Sequence, residues 1–324
     1  MKKRLLSGVK PTGAPHIGNY FGAMRQFVDL QDEYEAFIMI ADYHALNFIH
    51  DKKEMESNIL NIMLDYLAIG IDPEKTTIFK QSDISAHTEL AWIFDTITTM
   101  PYLMRAHAYK DAEAKSKEIS VGTFNYPMLM AADILLYDPE IVPVGSDQKQ
   151  HVEYARDTAQ KFSNMYGDIF GMPKDLIMKN VATVPGIDGQ KMSKSYKNTI
   201  QLFGTDEEIK KAVMSIVTDS KTPDEPKDPE TCNIFALHKL FLNDDELNAL
   251  RSRYLSGGLG YKESKEMLLS EILALVTPMR KRRNLYANDI NTVKDILNRG
   301  KEKAQMIAEA KMNKVRSAIG VTLQ

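Results

Sequence analysis

A short loop near the start of the sequence combines residue types that suit a phosphate-binding site. It reads Lys10-Pro11-Thr12-Gly13-Ala14-Pro15-His16-Ile17-Gly18-Asn19 and lies between a strand-like run and a helical pattern. The first N–H groups of a helix have no partner within it and attract anions, and glycines let a ligand approach the backbone. His16 adds a side-chain donor for a phosphate oxygen. An ordinary glycine-containing turn is the alternative, and this segment alone leaves both open.

A second segment, farther along the chain, is basic and rich in small residues. It reads Val184-Pro185-Gly186-Ile187-Asp188-Gly189-Gln190-Lys191-Met192-Ser193-Lys194-Ser195. Two ammonium groups that reach a triphosphate only when a loop closes would stabilise a departing pyrophosphate more than the bound ground state. Lysines by themselves favour the alternative, a charged loop in solvent, so the spacing matters more than the charge.

A carboxylate interrupts the apolar helical run from Tyr126 to Tyr137. Burying an unpaired Asp133 would be costly, so this residue must find a donor. An indole N–H is one such donor, and a pocket for an indole needs an acceptor at its floor and apolar walls around the rings. A backbone or hydroxyl partner is the alternative, and for a lone buried aspartate it is the commoner outcome.

The elements that position these groups follow from the apolar pattern. Short apolar runs predict buried parallel strands, and apolar residues at every third or fourth position predict helices between them. This alternation predicts an α/β fold with a doubly wound parallel sheet, whose ligand site lies at the carboxyl ends of the strands. The predicted strands are Arg4–Ser7, Ala36–Ala41, Thr76–Phe79 and Ile141–Val144, and the predicted helices are Asn19–Glu33, Lys52–Ile69, Ser85–Thr98 and Asp147–Met165.

From about Thr205 onward the strand-like runs disappear. The sequence therefore predicts two domains, a Rossmann-like nucleotide-binding domain over residues 1–204 and an all-helical domain over residues 205–324. The segment Thr218 to Asn233 has three prolines and many charges, which predicts a solvated loop near the junction. The predicted helices in this part are Glu207–Ile216, Asp244–Tyr254, Tyr261–Arg283 and Asp289–Ile319.

The composition excludes several classes of protein. With 324 residues, 44% of them apolar, the chain is predicted to be soluble and globular. It shows no signal-peptide pattern and no run of about 18 apolar residues, so we expect a cytoplasmic protein that does not enter a membrane. The single cysteine, Cys232, excludes an intramolecular disulfide, a zinc ribbon and an iron–sulfur cluster, and we expect an inert structural thiol. We predict no metal site built by the protein alone.

Charge is distributed unevenly along the chain, although the net charge is only -3. Residues 271–324 contain 11 Lys plus Arg and 5 Asp plus Glu. A polyanion would therefore bind this basic tail rather than the rest of the surface. The clusters Arg280 to Arg283 and Lys311 to Arg316 are therefore candidates for contact with a nucleic acid. Solvated helix faces are an equally good interpretation of them.

The two loops together resemble a known pair of signatures. His16-Ile17-Gly18-Asn19 looks like the HIGH signature of class I aminoacyl-tRNA synthetases, with Asn in the last place, and Lys191-Met192-Ser193-Lys194-Ser195 is identical to their KMSKS signature. Both occur in the family's order, with a helical region to follow. Within that class, Asp42 to Ala45, Tyr126 to Tyr137 and Val142 to His151 resemble tryptophanyl-tRNA synthetases, and the resemblance covers essentially the whole chain.

The resemblance implies a reaction and its partners. Such enzymes use ATP and Mg²⁺ to activate tryptophan as an adenylate, release pyrophosphate, and then transfer tryptophan to the 3′ end of its tRNA. The resemblance also implies a homodimer and an anticodon-binding role for residues 205–324.

It further implies roles for individual residues. The catalytic set is His16, Asn19, Lys191, Ser193 and Lys194. The ATP-binding set is Lys10, Pro11, Thr12, Gly18, Asn19, Gly145, Ser146, Asp147, Val184, Lys191, Met192, Ser193, Lys194 and Ser195. The tryptophan-binding set is Asp133, which takes the indole nitrogen, with Met130, Val142 and Val144 around the ring and His44, Tyr126 and Gln148 nearby.

Two alternatives of other kinds stay open. The first is a tyrosine-specific ligase of the same fold, because tyrosyl-tRNA synthetases share a stretch like Gly145 to Gln148. The continuation Lys149-Gln150-His151 and the pair Met130 and Asp133 favour tryptophan. The second is a nonenzymatic paralogue that binds nucleotide or RNA, and the intact lysine loop and His16 argue against it.

Overall fold

One parallel sheet forms the centre of the protein's structure, a computed structural model that describes residues 2–106, 109–110, 113, 119–145, 149–176 and 184–322. Within these residues the sheet has five strands in the order β3-β2-β1-β4-β5, and every pair of neighbours is parallel. This confirms the predicted doubly wound α/β fold. The strands are β1 (Arg4–Val9), β2 (Glu35–Ile40), β3 (Thr76–Lys80), β4 (Ile141–Pro143) and β5 (Lys174–Leu176).

The strand order places a topological switch between β1 and β4. From β1 the chain winds outward through β2 to β3, and it then returns to β4 on the other side of β1. Connections that leave in opposite directions open a crevice at the carboxyl ends of the two strands. The first four strands match the predicted runs, whereas β5 was missed because Lys174-Asp175-Leu176 is polar and only partly buried.

The helices of the first part of the chain lie on both faces of this sheet. The predicted helix Asn19–Glu33 is broken by a π-helical turn at Tyr20–Met24. The predicted helix Lys52–Ile69 has the observed bounds, because Asp51 caps its first turn and Gly70, at φ 111°, ends it in the left-handed region. The helices are α1 (Ile17–Asn19), α2 (Arg25–Leu30), α3 (Asp42–Ala45), α4 (Lys52–Ile69), α5 (Ala86–Ile97), α6 (Met100–Leu103), α7 (Val121–Leu135) and α8 (Lys149–Tyr166).

Among residues 205–322 the regular elements are helical, as predicted. The segment from Thr218 to Cys232 is a loop, but it is less solvated than we expected. Lys227 is buried, and its ammonium donates to the carbonyl oxygens of Thr222 and Glu225. The helices are α9 (Asp206–Met214), α10 (Asn233–His238), α11 (Asp244–Ser256), α12 (Tyr261–Asn288) and α13 (Ile290–Ala318).

The last helix, α13, packs along the edge strand β3 of the sheet. At Gly300 an added Cβ would lie 1.8 Å from the carbonyl oxygen of Ile78, so only glycine allows the helix to come this close. Farther along α13, Ala304, Ala308 and Met312 are buried in the same core as residues of the sheet's helices. The parts before and after residue 205 therefore share hydrophobic cores, and the division into two domains at this residue stays a prediction. No helix in the described residues has the length and apolarity needed to cross a membrane.

Candidate active site

A cavity of about 400 Å³ lies at the switch point between β1 and β4. It is lined at one end by residues of the predicted phosphate loops and at the other by the predicted ring pocket. The parallel strands bring these sequence-distant segments together because their carboxyl ends share one edge of the sheet. The predicted site residues that line it are Lys10, Thr12, Asn19, His44, Tyr126, Met130, Asp133, Val142, Val144, Gly145 and Lys194.

His16 caps the helix that begins at this end of the cavity. Its Nδ1 accepts from the N–H of Asn19 (3.2 Å), and the Asn19 Oδ1 accepts from the N–H of His16 (3.1 Å). Burial, and secondly the charge of Lys194, lower the pKa of His16 to about 4. A neutral imidazole whose Nδ1 accepts carries its proton on Nε2, so His16 presents one N–H donor at neutral pH.

Lys194 reaches from the second loop to the first. Its ammonium donates to the carbonyl oxygen of Thr12 over 2.8 Å, next to Gly13, whose φ is 80°. Burial lowers the pKa of Lys194, and the nearby charge of Asp65 partly offsets this. An ammonium at the cavity wall whose one described partner is a carbonyl oxygen can exchange that partner for a phosphate oxygen.

Asn198 organises the second loop, and the sequence analysis missed it. Its Oδ1 accepts from the N–H of Ser193 (2.8 Å), and its Nδ2 donates to Asp188 Oδ1 (2.7 Å) and to the carbonyl of Lys191 (3.1 Å). An added Cβ at Gly186 would lie 2.4 Å from the Asn198 side chain. The loop is therefore held by one buried amide that follows the recognisable motif by three residues.

The first loop is also joined through its backbone to the residues that follow the second loop. The N–H of Ile17 donates to the carbonyl of Ile200 (2.9 Å), and the N–H of Leu202 donates to that of Pro15 (3.0 Å). At Gly18 an added Cβ would lie 3.3 Å from the Cβ of Met192, so glycine permits the close contact. The two segments predicted to bind phosphate thus form one unit.

Not every predicted nucleotide residue lines the cavity. Val184 and Met192 are buried in the core, where a backbone hydrogen bond of 2.9 Å joins them and anchors the loop. The Lys191 side chain is exposed. Pro11, His16, Gly18, Ser193 and Ser195 also lie outside the lining, and the predictions for Ser146, Asp147 and Gln148 fall outside the described residues.

At the other end of the cavity, Asp133 is buried and accepts three side-chain hydrogen bonds. Its Oδ1 accepts from Gln81 Nε2 (2.8 Å) and His87 Nδ1 (2.7 Å), and its Oδ2 is bonded to His44 Nε2 (2.8 Å). Burial alone would raise the pKa of Asp133, but the hydrogen bonds of His44 and His87 outweigh it and lower the pKa to about 2. The carboxylate is therefore ionised at neutral pH.

The sequence analysis did not identify Gln81 and His87 as site residues. Gln81 directly follows β3, and its Oε1 accepts from the N–H groups of Tyr43 (3.1 Å) and His44 (3.4 Å), which turns its Nε2 toward Asp133. His87 lies in the first turn of α5. The position of Gln81 directly after the carboxyl end of β3 was an available signal, because polar residues there often face a ligand site.

Apolar and aromatic side chains form the walls between the two ends. Tyr126 packs edge-on against His44, with ring centroids 6.2 Å apart, and its hydroxyl is bonded to His151. The ammonium of Lys10 lies 5.9 Å from the centre of the Tyr126 ring, and burial lowers its pKa. Val142 is buried, and Met130 and Val144 are partly buried beside it. A flat aromatic ligand with one N–H donor fits this arrangement.

Known proteins support the same interpretation. The family model for class I tRNA synthetases (W and Y) matches residues 1–277. The tryptophan–tRNA ligase of Fusobacterium nucleatum is 50% identical over 320 residues, which cover 98% of each chain. That of Rhodopirellula baltica is 45% identical over 98% of this chain and 99% of its own.

A solved structure agrees with these sequences. The tryptophanyl-tRNA synthetase of Campylobacter jejuni, complexed with ADP and tryptophan, is 46% identical and superimposes with a TM-score of 0.93 over 98% of this chain and 99% of its own. The chain thus matches members of this family in sequence and in fold over 98% of its length. The chain belongs to the tryptophan–tRNA ligases of the class I tRNA synthetase family.

Proposed function

We propose that this tryptophan–tRNA ligase forms tryptophanyl-adenylate in the cavity between β1 and β4. The carboxylate of tryptophan attacks the α-phosphate of ATP in line, and pyrophosphate leaves. Tryptophan then passes to the terminal adenosine of its tRNA. The observation that carries this assignment is a single cavity with an ionised, buried carboxylate at one end and the ammonium groups of Lys10 and Lys194 at the other.

Asp133 recognises the indole N–H. A carboxylate oxygen accepts two hydrogen bonds, and Oδ2 has one described partner, His44, so one acceptor position remains at the floor of the ring pocket. Met130, Val142 and Val144 surround the rings, and Tyr126 and His44 close the pocket from the side. Gln148 completes the set in our proposal. A site built around one hydrogen bond rejects ligands that leave it unmade.

The phosphates lie against the joined loops. His16 donates through Nε2, Asn19, Thr12 and Lys10 contact phosphate oxygens, and Lys194 turns from Thr12 to the leaving pyrophosphate. Lys191 joins Lys194 when ATP draws the loop inward, while Ser193 and Ser195 support it. Gly145, Ser146 and Asp147 hold the ribose and adenine side. The rate enhancement then comes from positioning and electrostatic stabilisation rather than from a general base.

Mg²⁺ enters with ATP as part of the substrate. This ion keeps most of its water and binds through substrate phosphates with few protein ligands. The described residues around the cavity supply cationic and neutral groups at the phosphate end, which suits a metal held by the nucleotide. We expect exchange activity to require added Mg²⁺ and to stop when it is chelated.

The enzyme acts in our proposal as a cytoplasmic homodimer. Several large apolar side chains are exposed, including Phe48, Met100 and Val121, of which Val121 is 80% exposed. Exposed apolar side chains of this size would be buried if they lay in the interface of a dimer. The apparent mass in solution, measured by light scattering, tests the assignment, and a monomer at micromolar concentration would contradict it.

The first experiment is amino-acid-dependent exchange of labelled pyrophosphate into ATP, with tryptophan, tyrosine and phenylalanine in parallel. We expect exchange with tryptophan alone. Asp133→Asn keeps the size of the side chain but removes its charge, and we expect a loss of about a hundredfold in kcat/KM for tryptophan with the KM for ATP unchanged. Full activity of this variant would show that Asp133 does not bind the indole.

A further inference from the structure

We propose that His87 and Tyr137 are positioning residues for tryptophan, which act by holding the Asp133 carboxylate in one orientation. The inference rests on the proposed role of Asp133 as the indole acceptor. Neither His87 nor Tyr137 is among the described residues that line the cavity, so both act through Asp133 rather than on the ligand.

The three side chains form a continuous buried chain of hydrogen bonds. His87 Nδ1 lies 2.7 Å from Asp133 Oδ1, and His87 Nε2 lies 2.9 Å from the Tyr137 hydroxyl. His87 and Tyr137 are both completely buried. His87 lies at the start of α5, and Tyr137 lies two residues after the end of α7. The hydrogen bonds therefore connect these two helices at the floor of the pocket.

The proton positions follow from the charge of Asp133. An ionised carboxylate only accepts, so His87 Nδ1 must carry a proton. Burial, and secondly the charge of Asp133, raise the pKa of Tyr137, so its hydroxyl keeps its proton and can donate to Nε2 of the Nδ1–H tautomer. Tyr137 thereby fixes the tautomer of His87, and the ring is also stacked on Phe79.

The hydrogen bonds of Asp133 leave one acceptor position for the ligand. Oδ1 of Asp133 is saturated by His87 and Gln81, whereas Oδ2 has His44 as its described partner. The two fixed donors on Oδ1 therefore direct the open position of Oδ2 to the cavity. Without the Tyr137 hydroxyl the imidazole can turn or change tautomer, and the carboxylate can rotate away from the indole.

The test compares tryptophan with its benzothienyl analogue, in which sulfur replaces the indole N–H. In pyrophosphate exchange we expect the wild type to prefer tryptophan, because only tryptophan donates to Asp133. Tyr137→Phe keeps the ring and removes the hydroxyl, and we expect kcat/KM for tryptophan to fall about tenfold through KM. The values for the analogue, for ATP and for kcat should stay constant. A purely structural role would lower activity with both amino acids alike.

Tyr254→Phe is the matched control, because Tyr254 is also completely buried and its hydroxyl is bonded to Ser264 over 2.6 Å in another part of the protein. We expect it to lower the melting temperature to a similar extent without changing the preference for tryptophan. His87→Gln retains an N–H donor for Asp133 and should keep more of the preference than His87→Leu.

The proposal is overturned if Tyr137→Phe and His87→Leu keep the wild-type preference, or if they lower activity equally with both amino acids. Asp133→Asn separates this failure from that of the proposed function. If Asp133→Asn also keeps the preference, the assignment of Asp133 itself is wrong. If it alone removes the preference, Asp133 binds the indole without help from His87 and Tyr137.

Discussion

The two ends of the active-site cavity are built differently. At the tryptophan end, donors from three separate elements fix the buried Asp133, and one acceptor position remains for the ligand. At the phosphate end, the Lys194 ammonium is held by one described partner, the carbonyl oxygen of Thr12, on a loop that is partly exposed. One end is thus complete before the substrate arrives, and the other has groups that can change partners.

This difference matches the separate tasks of recognition and catalysis. Selecting one amino acid requires a rigid acceptor, because a site that can adapt to a wrong ligand loses its selectivity. Accelerating the reaction requires groups that bind the transition state better than the ground state. A lysine that leaves a backbone carbonyl for a departing pyrophosphate meets that requirement, so changes at the two ends should affect different kinetic constants.

Replacing Lys194 should give the largest effect of the substitutions at the phosphate end. In Lys194→Ala we expect kcat for pyrophosphate exchange to fall about 100- to 1,000-fold, because a charge that stabilises the transition state is lost in a partly dry site. Tryptophan affinity, measured by equilibrium dialysis, should change little. Lys53→Ala, in an exposed position on α4, controls for loss of charge. A variant with weaker tryptophan binding and normal turnover would contradict the division of tasks.

Asn198 should have a smaller effect on the same constant. Asn198→Ala removes three hydrogen bonds that hold the second loop, so the loop samples more conformations before it closes on ATP. We expect kcat to fall about tenfold with the KM for tryptophan unchanged. Asn164→Ala is the control, since that amide is exposed and bonded only to a neighbouring helix residue among the described contacts. A rise in the tryptophan KM of the Asn198 variant would show that the two ends are coupled.

The sequence predicted those features that are visible as local patterns. Asp133 was found because a carboxylate in an apolar run is an anomaly, and the sheet was found because its strands are apolar runs. Gln81, His87 and Asn198 are polar residues in ordinary surroundings, and only the fold brings them to the site. Their roles follow from contacts between segments that are distant in the sequence, and local sequence patterns do not show such contacts.

The basic cluster from Arg280 to Arg283 illustrates the same limit. Contact with tRNA and a solvated helix face were the two interpretations, and the structure adds a third. Arg283 is bonded to the buried Asp65 over 2.7 Å, Arg282 donates to the carbonyl of Ala68, and Arg280 donates to that of Gly204. These three arginines fasten α12 to the first part of the chain. These three guanidinium groups are hydrogen-bonded within the protein, and contact of the cluster with tRNA stays a prediction.

The smallest expected effect concerns His16 and the pH dependence of the phosphate end. Because the pKa of His16 is lowered to about 4, the ring loses its proton as the pH rises through that value and is neutral between about pH 5.5 and pH 8. A pH profile of kcat/KM over this range should therefore show no ionisation that belongs to His16. His16→Asn keeps a side chain that can cap the helix, and we expect it to lower the rate without changing the shape of the profile. An acidic limb near pH 6.5 that is present in the wild type and absent in this variant would show that His16 acts as a cation, and would place a second titrating charge beside Lys194.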